Sequence, residues 1–251
     1  MGTTLQAGNE ALYEAAFRTG DYAEAKSTFQ RLLEQARESG DRALEAAALD
    51  RLGMLAHFRA LDSVGSSGPA PSESAPSGPS GSSASPAPAG FGAEQELFER
   101  ALAIRRELED SAGVAESLFG LGLVHQVFRN DWQTAMPLYR EALDLAEHHG
   151  DLLLRSEVHR HIGFYYTASD LQSDQALHHL RISHDLRTEL ADPRWIPGGT
   201  VALGLAEIAD GLRDQGLAHI REALQQARDA NLTPQRIAWI EDFLRDAEAT
   251  R

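Results

Sequence analysis

Apolar residues recur along most of this chain at the spacing of an α-helix. Between Gly113 and Gly150, one stripe runs through Leu118, Leu121, Val124 and Val127. Asn130-Asp131 interrupts it. A second stripe follows through Ala135, Leu138, Tyr139, Ala142, Leu143 and Ala146, at i, i+3, i+4 and i+7. That pattern predicts two amphipathic helices in one unit. The unit repeats. Glu99-Arg100-Ala101-Leu102 returns as Arg140-Glu141-Ala142-Leu143 and as Arg221-Glu222-Ala223-Leu224. Ala101 and Ala142 are 41 residues apart, and Ala223 lies 81 beyond Ala142, close to two more periods. A degenerate copy is therefore expected at Ser183. Self-similarity at such a period marks stacked supersecondary units. The first helices (A) are placed at 8–18, 42–60, 112–128, 152–168 and 197–211, and the second helices (B) at 22–38, 93–108, 132–148, 173–189 and 213–229. Gly20-Asp21, Gly40-Asp41 and Gly150-Asp151 punctuate them: glycine tolerates a left-handed C′ position and aspartate caps the next helix. Thr233-Pro234 opens a last helix, 233–249, whose many charges suit the solvating cap of a repeat stack.

Small residues stand at fixed places in these units. Leu52-Gly53, Leu121-Gly122, Ile162-Gly163 and Leu203-Gly204 occupy the A helices. The B helices carry Ala25/Phe29/Leu32, Glu94/Phe98/Ala101, Ala135/Tyr139/Ala142, Ala176/Leu180/Ser183 and Gly216/Ile220/Ala223. Two helices crossing closely need the small residues, and the large one is expected to fill the gap between neighbouring units. This arrangement resembles the tetratricopeptide repeat family, in its long-helix form of about 41 residues similar to kinesin light chain and bacterial regulator repeats. The resemblance implies an all-α, right-handed superhelical solenoid of about five helix hairpins plus the cap, running as one domain over 1–251.

One interval breaks the period. The excess is matched by residues 63–90, which are almost wholly Ser, Gly, Pro and Ala. Such a composition buries too little apolar surface to offset chain entropy, so a disordered insertion is expected between helices A and B of the second repeat.

Bulk properties narrow the function. The formal net charge is −15, which opposes phosphate backbones and anionic membrane surfaces, so neither nucleic acid nor membrane is expected as partner. There is no cysteine, which excludes disulfides, thiolate catalysis and cysteine-bound zinc. No secretory signal or membrane-spanning run is read, and the cytoplasm is the expected compartment. Lys26 is the single lysine, a bias expected of a bacterial genome rich in G and C.

The resemblance also implies which A-helix residues face the concave groove. These include Glu10, Glu14 and Phe17 from the first repeat, then Asp50, Met54, His57 and Phe58 from the second. The third supplies Phe119, Leu123 and Gln126, the fourth Arg160, Phe164 and Thr167, and the fifth Val201, Leu205 and Ile208. Trp195 stands beside the last, next to Gly198-Gly199. The family's carboxylate clamp does not suit a groove that starts with Glu10, Glu14 and Asp50. Its asparagine ladder is missing, since Asn9, Asn130 and Asn231 all lie elsewhere. An acidic-to-apolar groove remains. It suits a protein or peptide with an apolar segment, or a hydrophobic small molecule. The expected function is that of a non-enzymatic binding, scaffold or regulatory protein. The alternative is a small-molecule-binding or acid–base catalytic repeat protein of bacterial specialised metabolism, with Asp50, His57, Glu157 and Arg160 as its polar groups. No nucleophile elbow, phosphate loop or HExxH stretch is present, and neither a metal nor a cofactor is expected. An exposed terminal repeat also allows a homodimer.

Overall fold

The computed structural model describes residues 2–65, 91–169 and 173–249. Among them all regular structure is helical. Eleven α-helices follow one another: α1 Gly2–Glu14, α2 Ala23–Ser39, α3 Arg42–Gly65, α4 Phe91–Glu107, α5 Ser111–Leu123, α6 Trp132–His149, α7 Leu152–Ser169, α8 Ser173–Leu190, α9 Ile196–Ala209, α10 Arg213–Asp229 and α11 Pro234–Ala249. The fold is all-α, with the five hairpins and the final helix that the apolar periodicity predicts.

The chain divides into two compact units, one ending at His149 and the other starting at Gly150. In the first, α1 packs on α2, α2 on α3, and so on to α6; in the second, the same succession runs from α7 to α11.

The small-and-large pattern is what joins the two helices of a hairpin. Tyr139 of α6 is fully buried against Gly122 of α5, where any added methyl would meet its ring. A methyl at Gly53 would lie 2.8 Å from Phe98, one at Gly163 2.5 Å from Leu180, and one at Gly8 2.6 Å from Phe29. Gly8 is thus the first-repeat member of the series, unmarked by the Leu-Gly pair. In the fifth repeat the backbones themselves touch: a methyl at Gly204 would lie 2.7 Å from the Gly216 carbonyl oxygen. Ser183, the expected degenerate copy, is buried one turn after Leu180. Full burial of each such large side chain contributes about 1.5–3 kcal/mol.

The caps follow the same local logic. Asp41 accepts from the Leu44 backbone N–H at 3.0 Å, and Asp151 from that of Leu154 at 2.8 Å. Asp110 and Asp131 do likewise for α5 and α6, at 3.0 and 3.1 Å. Gly20 and Gly40 take φ of 72° and 71°. Gly150 is a correction, because it is not among the left-handed residues. Asn130 and Asn231 are, with φ of 50° and 54°.

Two features were not legible. Residues Ala15–Thr19 and Val124–Phe128 are wound as π-helical turns that prolong α1 and α5. Helix α3 also runs to Gly65, three residues into the expected insertion. The rest of that insertion, 66–90, lies outside the described residues.

Candidate functional site

In the first unit α3 carries Asp50 and His57, two turns apart. Neither is offered to solvent. Asp50 is 2% exposed, and its carboxylate accepts from Ser117 Oγ of α5 at 2.8 Å. The Arg105 guanidinium of α4 reaches it at 3.4 Å, donates to Glu116 at 3.4 Å and pairs with Asp110. Arg51 closes the set by pairing with Glu116 at 2.8 Å. Three carboxylates thus surround two guanidiniums. One negative charge is in excess, and Asp50 is the most buried of the three acids. Burial, reinforced by the Glu116 charge, pushes its carboxyl up to about 7 despite the neighbouring arginines.

This has a measurable consequence. A carboxyl whose folded-state value lies above its unfolded one is held protonated by folding, so the stability linked to it is greatest in acid and fades as pH rises. The window runs from about 4 to about 7. Wild type should lose about 1 kcal/mol per pH unit across it relative to Asp50→Asn, which keeps the acceptor for Ser117 but cannot ionise. Urea unfolding of both proteins at intervals from pH 5 to 8 measures the difference. Parallel curves would show that Asp50 ionises normally.

His57 has a separate partner. Its Nδ1 lies 3.0 Å from Glu94 Oε1 of α4, and both side chains are buried. The ring also meets Phe128 edge-on, centroids 5.2 Å apart. Glu94 stands where other B helices have Ala or Gly, so its departure from the small-residue pattern is explained by His57. Gln126 lies at the equivalent A-helix position and accepts from Tyr139 Oη at 2.6 Å. These two positions are turned toward the B helix of their own hairpin.

The remaining first-unit residues divide by exposure. Phe17 and Phe58 are buried edge to face, centroids 6.1 Å apart. Phe119 and Leu123 are buried as well. Met54 is half-buried, Glu10 exposed, and Glu14 half-buried in a pair with Arg18 at 3.1 Å.

In the second unit, Glu157 of α7 pairs with Arg187 of α8. Arg160 lies over the Phe164 ring, 4.6 Å from the centroid. Thr167 donates to the Gly163 carbonyl at 3.0 Å. Arg187 also donates from Nη1 to the Trp195 carbonyl at 2.8 Å. It fills the space left by Gly198 and Gly199, whose added methyls would meet its side chain at 2.9 and 2.8 Å. The glycine pair therefore accommodates an arginine, and Trp195 is buried beside it. Val201 is buried, while Leu205 and Ile208 are half-buried.

Sequence reasoning overlooked Arg105 and Arg187. They stand two 41-residue periods apart, each near the end of a B helix. Each is buried and bonded to an acid of its own hairpin's A helix. Each also lies under a glycine of the next A helix, Gly113 in one case and Gly199 in the other. A buried arginine recurring opposite a glycine was the available signal. Among the described residues no three His, Cys, Asp or Glu side chains converge as a metal site, and no helix is long and apolar enough to cross a membrane.

Residues 95–148, spanning most of α4 through α6, match the family model of the tetratricopeptide repeat. Among solved structures, BtubC (BKLC) from P. vanneervenii superposes with a TM-score of 0.55, covering 84% of this chain and 74% of that one at 20% identity. A likeness at that identity bears on the fold alone, which is thus shared with a protein of known structure. No curated protein matches the chain. The tetratricopeptide resemblance read from the Leu-Gly and Ala-x3-aromatic pattern is borne out in the matched repeat and in the fold.

Proposed function

We propose that this chain is a non-enzymatic interaction module that receives an apolar segment of a protein partner on the A-helix face of its first unit, with the acidic α1 end flanking that contact. The helical repeat fold supports a protein-interaction role in general terms. The finer reading rests on one observation: along the expected inward positions, the polar groups with chemistry to offer are already engaged by side chains of neighbouring helices. Asp50 is bonded to Ser117 and His57 faces Glu94. In the first unit the inward side chains that keep some exposure are apolar Met54 and the acidic pair Glu10 and Glu14. Apolar contact with an acidic flank suits an amphipathic segment carrying basic residues. A cysteine-free, acidic chain also suits a cytoplasmic setting.

A photo-crosslinking residue at Met54, compared with one at exposed Leu108, tests this in the producing cells. A protein adduct formed from position 54 and absent from 108 is expected. Equal labelling from both positions would remove the inward face as the docking surface. Native mass spectrometry of the purified chain separates the alternative, because a retained small molecule of constant mass would favour metabolite binding.

A further inference from the structure

Two imidazoles face each other in the α7–α8 hairpin. Nδ1 of His159 lies 2.8 Å from Nδ1 of His179, with ring centroids 5.0 Å apart. A contact of that length between two ring nitrogens is a hydrogen bond, so one nitrogen carries a proton and the other accepts it. It holds for one shared proton. A second proton would put two N–H groups head to head, with neither ring able to accept.

We propose that the His159–His179 pair is an acid-sensitive latch, holding α7 to α8 while it shares a single proton and releasing them when both rings become charged. The surroundings favour the closed form near neutrality. His159 is buried, and Tyr166 is stacked on His179, centroids 5.9 Å apart and planes at 18°. His178, the adjacent α8 residue, lies edge-on to His179 at 5.4 Å. Charge on either neighbouring histidine opposes charge on His179. Burial, then His159, then His178 hold it down to about 4. Among the described residues no carboxylate figures in the influences on His179. Helix α9, which packs on both α7 and α8, carries one charged side chain, Glu207, and that is bonded to Gln215 and His219. Unfolded histidine titrates near 6.5. A depressed value in the folded hairpin means that the unfolded chain takes up protons first, so the latch loses its contribution as pH falls from about 6.5 to about 4.

The test is a titration of the full-length chain by imidazole 15N NMR, alongside amide exchange of α7 and α8 corrected for intrinsic rates. His179 should remain neutral through pH 6 and titrate well below an unfolded histidine. Exchange protection in α7–α8 should fall at least tenfold between pH 6.5 and 4.5. His179→Asn offers His159 a partner that does not titrate, and should abolish most of that fall, whereas His178→Asn should keep it. Normal titration of His179, or an unchanged pH slope in His179→Asn, would overturn the proposal. If the asparagine variant fails to fold, the wild-type titration alone decides between a lowered and an ordinary His179.

Discussion

Arg105→Met should destabilise the protein by about 3–5 kcal/mol, the usual cost of removing one partner from a buried charged network. Methionine replaces much of the packed length of the side chain but none of its donors. Asp50 and Glu116 would then share a site with only Arg51 near them, and the pair at Asp110 would be lost. The three helices α3, α4 and α5 are bonded to one another through this guanidinium, so the loss is not confined to a single hairpin. Arg105→Lys should recover little, because a single ammonium cannot reproduce a fork directed at three carboxylates. Urea unfolding at pH 7.5 measures the effect, and a loss below about 1 kcal/mol would show the network to be idle. The cost should also shrink when Asp50→Asn is added, since the orphaned charge is then gone. Such non-additivity is expected of groups that share partners.

Tyr139→Ala should cost about 3–5 kcal/mol. The ring is fully buried in the slot that Gly122 leaves open, tilted against Phe119 with centroids 5.9 Å apart. Its hydroxyl donates to Gln126, itself 1% exposed, which would be left without that donor. Tyr139→Phe separates the two contributions. It keeps the ring and should cost only about 1–2 kcal/mol, for the lost hydrogen bond to Gln126. Thermal and urea unfolding distinguish the two variants. Equal losses would place the stability in the hydroxyl, not in the packing.

These two sites differ in how far the sequence announced them. Tyr139 was legible. Its distance from Gly122 and its place between Ala135 and Ala142 both follow the repeat, and a large residue opposite a glycine has one use in a helix crossing. Arg105 was not. Arginine at the end of a helix ordinarily faces water or the helix dipole, and nothing nearby in the chain shows that Asp50 lies against it from 55 residues away. Gly198-Gly199 was half legible. The pair does open space at the start of α9, and the space is taken by Arg187.

The candidate groove shows the same division. Its residues take their places from the repeat of the A helices. Position does not decide availability. His57 is withdrawn because Glu94 faces it, Gln126 because Tyr139 does, and Asp50 because Ser117 and Arg105 do. Each partner comes from another helix.

By itself the sequence determined the number of helices, their pairing, and most of their caps and of the slots where they cross. Those depend on the 3.6-residue period and on side-chain volume, which are read within one repeat. Only the tertiary structure decided which polar side chains are left to act. A charge or imidazole is free or engaged according to what the neighbouring helices bring within about 3 Å of it, and the period of the chain carries no record of that.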